Sequence, residues 1–370
     1  YNERLNDWVQ KEAAAIQAIA AIYKLWVERS VEVLIFRRNL VNQGPVEILK
    51  TIEYGRQISE SDFSMDEILT IVEGLVKLPL CPSRIDVGRL ATEWMASGSD
   101  NLEAFLKQQL SDHLSDEACS FEHRDVVLYG FVRIGRLMAR ILVEQGGAGS
   151  ALRLRAVVCR GKLNIAKRAG LLKRDSVHGR LKGNLEVLEQ EDAILANGAY
   201  IKFISANSPE EVDYEAHGIH NALIIDNTGV WRDRDGLSLH LQSKGADKVL
   251  LTAPGKGDIP NIVYGCNTKA FKDDERVFSA ASCTTNAIVP PLKVLNDTFG
   301  INYCHVETVH SFTNDQNLLD NFHSKARRGR SAPLNMVLTE TGAASAVSKA
   351  LPELTGKITG NAVRVPTPNV

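Results

Sequence analysis

The spacing of apolar residues changes character once along the chain. Up to about residue 121 it follows a helical period. Ile16, Ile19, Tyr23 and Trp26 fall on one face, as do Ile68, Leu69, Val72 and Leu75, and then Phe105, Leu106 and Leu110. Ser64 with Glu67, and Asp100 with Glu103, have capping-box spacing and would open two of these helices. Gly44-Pro45 and Cys81-Pro82-Ser83 punctuate the run. Residues 1–121 are therefore expected to be an all-α region. Its apolar stripes would form either a helix–helix core or a docking face for another subunit. Ser115 to Asp125 is polar and charged and suits a linker.

From Asp125 short apolar runs alternate with helical ones. Val126 to Tyr129 is a strand, Gly130-Phe-Val-Arg-Ile-Gly135 a turn, Leu137 to Val143 a helix and Leu152 to Cys159 a second strand. This is the opening of a dinucleotide-binding fold, with an ordinary strand–helix turn as the rival reading. Val132 stands where the pattern wants a glycine that lets backbone touch a pyrophosphate. The crowding would cost about 1–3 kcal/mol if the site cannot relax, or roughly five- to a hundred-and-fifty-fold in affinity. A carboxylate usually follows the second strand to hold the ribose hydroxyls. None occurs between Val157 and Lys167, where Arg160 and Lys162 stand instead. Either they receive a 2′-phosphate, so that NADP binds at least as well as NAD, or they are solvated surface charge. Further strands run from Leu185 to Leu188 and from Tyr200 to Ile204. Leu223 to Gly229 and Val249 to Gly255 are strands that end in small and hydroxyl residues at the edge where an open parallel sheet binds its ligand.

Val277-Phe-Ser-Ala-Ala-Ser-Cys-Thr-Thr-Asn286 reads as a short buried strand followed by a helix start, with Ser282 as N-cap and Cys283 in the first turn. Free amides and the helix dipole there favour thiolate over thiol. The alternative is a buried structural cysteine. His310, 27 positions later, ends the strand-like run Tyr303 to Val309. A helix and a returning parallel strand would bring the two to the same edge of one sheet. A thiolate beside a base is the equipment for covalent chemistry at a carbonyl carbon.

Ala281-Ser-Cys-Thr-Thr-Asn286, Thr308-Val-His310, Gly356-Lys-Ile-Thr-Gly360 and Arg364-Val-Pro-Thr-Pro-Asn-Val370 resemble the signature stretches of glyceraldehyde-3-phosphate dehydrogenase. The resemblance runs from about Asp125 to the last residue and is closest to the family's long form, which carries a helical extension. It implies an α/β protein: a helical extension over 1–121, a Rossmann-type dinucleotide-binding domain over 122–282, and an α+β catalytic domain over 283–370 in which the family's last strands and closing helix are missing. It implies NAD or NADP as cofactor, with Gly130, Arg133, Ile134, Gly135, Thr228 and Thr252 at the cofactor cleft. Cys283 would be the nucleophile and His310 its base. Thr313 and Arg364 would hold the substrate phosphate of glyceraldehyde 3-phosphate. Ser282, Thr284, Thr341 and Gly342 would hold inorganic phosphate. A homotetramer is implied too, with Lys325-Ala-Arg-Arg-Gly-Arg330 in a loop near a neighbouring subunit. Erythrose 4-phosphate oxidation uses the same pair of residues. A non-catalytic assembly protein on this fold is the rival from another class, favoured by Val132 and by an ending inside a motif.

Composition narrows the partners. The 370 residues carry 43 basic and 45 acidic side chains, a net charge of −2 that leaves nucleic acid an improbable partner. No apolar run is long enough to span a membrane. Six scattered cysteines without Cys-x-x-Cys spacing argue against a disulfide framework and against zinc, and fit a reducing, cytoplasmic compartment. An organellar targeting segment ahead of Tyr1 stays open. His217 and His220 lack convergent ligands, so no metal site is expected.

Overall fold

The computed structural model describes residues 1–115, 123–144, 151–339 and 341–368. The chain divides into two compact units: residues 1–124 with 140–154 and 195–200, and residues 125–139, 155–194 and 201–370.

In the first unit, helices α1 (Asn2–Arg29), α2 (Pro45–Ser59), α3 (Met65–Lys77), α4 (Val87–Ser97) and α5 (Leu102–Gln109) close over one apolar cluster. The region is predominantly helical, as its period predicts. It also holds a sheet of β1 (Val31–Ile35), β2 (Arg38–Asn39) and β3 (Ser83–Asp86), in the order β2-β1-β3. The all-α expectation is corrected to that extent. The signal was the alternation of Val31, Val33 and Ile35, all buried, which has period two and not 3.6. Helix α1 also turns a different face inward. Ala14, Ala15, Ala18, Ile22 and Leu25 are buried, while Ile16 and Tyr23 are 55% and 58% exposed. Alanines let the α1 backbone approach α3 closely, which larger apolar residues on that face would prevent. The capping box of Ser64 and Glu67 forms as expected. The second cap is Asn101, whose Oδ1 accepts the Ala104 amide at 3.0 Å, and not Asp100 with Glu103. No disulfide framework was expected; Cys81 is disulfide-bonded, whereas Cys159, Cys266, Cys283 and Cys304 are free. A single bond between cysteines has no spacing signature to read. The polar linker expected near Ser115–Asp125 lies largely outside the described residues.

The large sheet comprises β4 (Arg124–Tyr129), β5 (Leu152–Cys159), β8 (Leu185–Leu188), β9 (Ala193–Ala196), β10 (Ala199–Ser205), β11 (Ala222–Asp226), β12 (Ala246–Leu251) and β13 (Val277–Ser279). The strand pair β6 (Arg174–Asp175) and β7 (Gly179–Arg180) forms a separate hairpin. The order of the large sheet is β13-β12-β11-β4-β5-β10-β9-β8, with β13, β12, β11 and β4 mutually parallel and β5 parallel to β10. Helices α6 (Arg133–Glu144), α7 (Ile165–Lys173) and α8 (Arg234–Ser238) connect these strands. This is the doubly wound Rossmann arrangement. Its strand order reverses between β4 and β11, and a crevice opens at their carboxyl ends. Buried Val127, Val158 and Ile224 pack on one face with Tyr214, which is fully enclosed.

Beyond β13 comes helix α9 (Cys283–Phe299), followed by β14 (Cys304–Ser311), β15 (Val337–Thr339), α10 (Ala343–Ala350) and β16 (Ile358–Val365). The last three strands form their own sheet, β14-β16-β15, with β14 and β16 parallel. The expectation that β14 returns to the sheet of β13 is therefore corrected. Helix α9 links two sheets. Val289 and Leu292 of α9 share a core with Val347, Leu351 and Leu354, which holds α9 against this second sheet.

Candidate active site

The turn before α9 is held by several hydrogen bonds around one left-handed residue. Ala281 has φ of +60°, a left-handed conformation that a side-chain-bearing residue adopts at a cost of about 1–3 kcal/mol. Its surroundings enforce it. The Ala280 amide donates to Leu251 O and the Ala281 amide to Ser279 Oγ, both at 2.9 Å. Asn286 then reaches back, its amide donating to Ala280 O at 2.7 Å and to Ser282 O at 2.9 Å. Sequence reading placed Asn286 among generic cap residues and missed this clamp. The Ser282 hydroxyl accepts the Thr285 amide at 3.0 Å, as the N-cap assignment requires. Cys283 is thereby the first helical residue, exposed, with the helix N-terminus behind it.

His310 lies at the far end of β14, and its Nε2 is 3.5 Å from Cys283 Sγ. The expected pair forms, though from two sheets and not one. Parallel pairing of β14 with β16 sets His310 directly beside Arg364, so both side chains share a face. Arg364 Nη1 is 2.9 Å from His310 Nδ1 and donates to Ser311 O at 3.0 Å, while Nδ1 is 2.7 Å from that same oxygen. Burial, then the nearby Arg328 charge, pushes the Arg364 guanidinium below its usual range. A half-buried cation of this kind attracts an anion.

The other expected phosphate residues are distributed around this core. Thr284 Oγ1 is 4.0 Å from Sγ. Thr313 is exposed just past β14. Thr341 Oγ1 accepts the Ala343 amide at 3.1 Å, and Gly342 caps α10. Gly342 and Thr285 line a cavity of about 330 Å³ together with Arg232, Lys256 and Lys349. The Cys283, His310 and Arg364 side chains do not line it.

At the crevice between β4 and β11, two glycines are required by space. Gly130 has φ of +93°, and a Cβ there would lie 2.7 Å from Thr228 Cγ2. A Cβ on Gly135 would lie 2.2 Å from Gly130 O. The chain thus keeps the tight strand–helix crossing on which a pyrophosphate is received, and the residues fit a dinucleotide. Val132 is 50% exposed and sits in the turn between them. Arg133 pairs with Asp175 at 3.4 Å. The amide of His178 first, then Arg133 and the amide of Val177, hold the Asp175 carboxyl well below its usual range, so this contact survives well below pH ~4 and is lost only in strong acid. Thr228 and Thr252 edge the crevice with their hydroxyls already engaged. Thr228 Oγ1 donates to Asp226 Oδ1 at 2.7 Å, and Thr252 Oγ1 donates to Asp226 O at 3.0 Å.

Sequence reading also missed what anchors this edge. Asp226 and His240 are both fully buried, with His240 Nε2 3.0 Å from Asp226 Oδ2. Tyr129 and Trp231 enclose the imidazole edge-on. His240 Nδ1 has no partner, so a neutral ring with its proton on Nε2 leaves only a lone pair unmatched. Burial, then the Asp226 charge, pushes Tyr129 up to about 12.

The basic run is held within its own loop. Arg328 pairs with Asp315 and donates to Thr339 Oγ1, and Arg330 pairs with Asp320 at 2.8 Å. No cluster that could hold a metal occurs among the described residues, and no helix among them is long and apolar enough to cross a membrane.

Comparison with known proteins gives matching results. The family model described as glyceraldehyde 3-phosphate dehydrogenase, NAD binding domain, matches residues 124–234, and the C-terminal domain of the same family matches residues 282–370. A glyceraldehyde-3-phosphate dehydrogenase-like protein of Pseudomonas aeruginosa (strain UCBPP-PA14) is 49% identical over 358 residues, which is 95% of this chain and 78% of that protein. The match therefore takes in most of the N-terminal region. The chloroplastic glyceraldehyde-3-phosphate dehydrogenase A of Zea mays is 44% identical over 245 residues, covering 66% of this chain and 59% of its own length. Glyceraldehyde-3-phosphate dehydrogenase 2 of Trichormus variabilis is 44% identical over 246 residues, covering 66% of this chain and 71% of its own length.

Proposed function

Because the chain belongs to the glyceraldehyde-3-phosphate dehydrogenase family, whose members are oxidoreductases with an NAD(P)-binding domain, we propose that it oxidises an aldehyde phosphate through a thioester on Cys283 and releases an acyl phosphate. The observation that carries this is the 3.5 Å approach of Cys283 Sγ to His310 Nε2 at a helix N-terminus, with Arg364 alongside. Cys283 adds to the aldehyde carbon and His310 takes up the displaced proton. The N-terminal amides of α9 face the oxygen on which charge develops. Gly130 and Gly135 leave the room in which NAD(P) would be held, and that cofactor would supply the hydride acceptor. Cys283 carries the acyl group until inorganic phosphate displaces it, with Ser282, Thr284, Thr341 and Gly342 as the groups that receive that phosphate. Thr313 and Arg364 receive the phosphate of the substrate. Glyceraldehyde 3-phosphate is the substrate the relatives' names favour, and erythrose 4-phosphate would use the same groups.

Iodoacetate is expected to label Cys283 ahead of the other thiols, and His310→Ala to slow that labelling at least fivefold near neutral pH. Cys283 is exposed, whereas Cys159 is enclosed and burial pushes its thiol up. Peptide mapping by mass spectrometry reads the order. Equal labelling of all free thiols would remove the catalytic reading.

Arg160 and Lys162 follow β5 with no carboxylate on their own stretch, and Arg160 Nη2 donates to Asn207 O at 3.3 Å. NADP is expected to bind at least as tightly as NAD in the same buffer, because a 2′-phosphate meets two cations there. Calorimetric titration of both cofactors decides this, and a clear NAD preference refutes it. If neither binds, Val132 has closed the site and a non-catalytic role on this fold takes precedence. Exposed Leu318, Leu319, Phe322, Leu334 and Met336 in the loop 312–336 support a homo-oligomer, because a lone protein seldom leaves so many large apolar side chains in water.

A further inference from the structure

The cavity of about 330 Å³ in the second unit holds far more hydrogen-bond donors than acceptors. Three cations line it, Arg232, Lys256 and Lys349, and no carboxylate does. They come from the loop after β11, the loop after β12 and helix α10. On α10, Gly342, Ser345, Ala346 and Lys349 follow at helical spacing and give the cavity one face, small along its length with an ammonium at its end. The wall formed by residues 254–261 is fixed. Asn261 Oδ1 accepts the Gly255 amide at 2.9 Å, and Asn261 Nδ2 donates to Gly255 O at 3.2 Å and to Ile259 O at 3.0 Å. The Lys256 amide donates to Arg232 O at 2.7 Å, and Arg232 Nε and Nη2 both donate to Pro254 O at 3.3 Å. Glycine at 255 permits this packing, since a Cβ there would lie 2.7 Å from Ile259 Cγ2.

These bonds consume the carbonyls of Pro254 and Gly255 and leave donors over. Among the described residues, Arg232 Nη1, Lys256 Nζ, Lys349 Nζ and Ser345 Oγ have no hydrogen-bond or ion-pair partner. The carboxylates next in sequence are engaged elsewhere: Asp258 pairs with Arg234, and Asp233 accepts the Gly236 amide at 3.0 Å. Like charges gathered round one hollow repel one another, and no residue lining it offsets them. An anion inside would.

We propose that this cavity is a binding site for a small polyanion carrying two phosphoryl groups, separate from the groups assigned above to the substrate phosphate and to inorganic phosphate. Its volume is that of roughly eleven waters, more than a single phosphate needs. Two joined phosphoryl groups engage both ammonium groups and the free edge of the guanidinium at once. No aromatic side chain lines the cavity, so a nucleobase would find nothing to stack on. That favours a free diphosphate or a small organic bisphosphate over a nucleotide. Of the residues assigned to phosphate above, Gly342 alone borders the cavity, while Cys283, His310 and Arg364 do not. The site therefore stands whether or not Cys283 carries a thioester.

The test is acetylation of lysines in the whole chain, read residue by residue by peptide mass spectrometry. It is run with inorganic diphosphate, with hexose 1,6-bisphosphate, and with sodium chloride at matched ionic strength. One of the two phosphate compounds is expected to slow acetylation of Lys256 and Lys349 by at least about fivefold relative to chloride. The exposed Lys50 and Lys269, outside the cavity, are expected to keep their rates. Whichever compound protects at the lower concentration tells free diphosphate from an organic bisphosphate. Lys349→Gln is expected to raise the concentration that half-protects Lys256 by on the order of tenfold, the loss of one charge-assisted hydrogen bond, and Lys256→Gln to do the same at Lys349. Both side chains are exposed, so neither substitution threatens the fold. Arg364→Gln is expected to leave the protection of both lysines intact. Absent protection, equal protection of all lysines, half-protection that the two lysine variants leave unchanged, or protection that vanishes in Arg364→Gln overturns the inference.

Discussion

Cys283→Ser is expected to lower kcat by at least about ten-thousandfold while leaving the cofactor dissociation constant within about twofold of wild type. The substitution keeps the N-cap geometry, because the cap is made by Ser282 and not by residue 283. It also keeps a donor toward His310 Nε2. What it removes is an atom that ionises readily at the amide-rich end of a helix. A serine hydroxyl gives up its proton far less readily than a thiol, so the imidazole must act as a full general base on each cycle. The acyl ester that results is also a poorer partner for phosphate than a thioester. Steady-state rates alongside cofactor fluorescence titration separate the two effects. Loss of rate by less than a hundredfold would mean that the sulfur is not the attacking atom.

Asp226→Ala is expected to destabilise the second unit by about 3–5 kcal/mol and to abolish measurable cofactor binding. One carboxylate there serves three groups: the Thr228 amide, the Thr228 hydroxyl and His240 Nε2. Both Asp226 and His240 have no solvent exposure, so water cannot replace the lost acceptor. The imidazole would be left with neither nitrogen matched, since Nδ1 already lacks a partner. The Thr228 turn would lose its hold at the point where Gly130 must pass within contact distance of it. Asp226→Asn retains an acceptor for Thr228, and its amide can donate to His240 Nε2 once the ring proton moves to Nδ1, where it finds no acceptor, so about 1–3 kcal/mol is expected. Urea unfolding of both variants with cofactor titration measures the difference. Equal effects of Ala and Asn would show that charge, and not hydrogen-bond supply, holds the turn.

Local chemistry made some of this readable in the chain and hid the rest. Ser282 as an N-cap, Cys283 in the first turn and His310 at a strand end follow from residue type and period, and the structure places them so. The doubly wound order could be inferred because its strands are short apolar runs between helical ones. Misreadings occurred where the deciding contact lies far along the chain. Ile16 and Tyr23 look like a buried stripe until a neighbouring helix selects the alanine face instead. Strand β14 looks like a return to the first sheet until β16, some fifty residues on, captures it. The pairing of Asp226 with His240 spans 14 residues and has no motif, because an isolated histidine and an isolated aspartate are each ordinary in sequence. The Asn286 clamp was in plain view as a residue and invisible as a function, since a backward hydrogen bond to Ala280 depends on the left-handed alanine between them.

The pairing of β14 with β16 also bears on how the protein matures. His310 and Arg364 are 54 residues apart and become neighbours only when two parallel strands zip in register. Parallel pairing closes a long loop before it gains contacts, which makes it a late and slow event. Nascent or partly refolded molecules can therefore own a complete nucleotide crevice while their sulfur still reacts like an ordinary thiol. The reactivity of a single side chain would then serve as a clock for a late stage of folding, ticking only once β16 has docked.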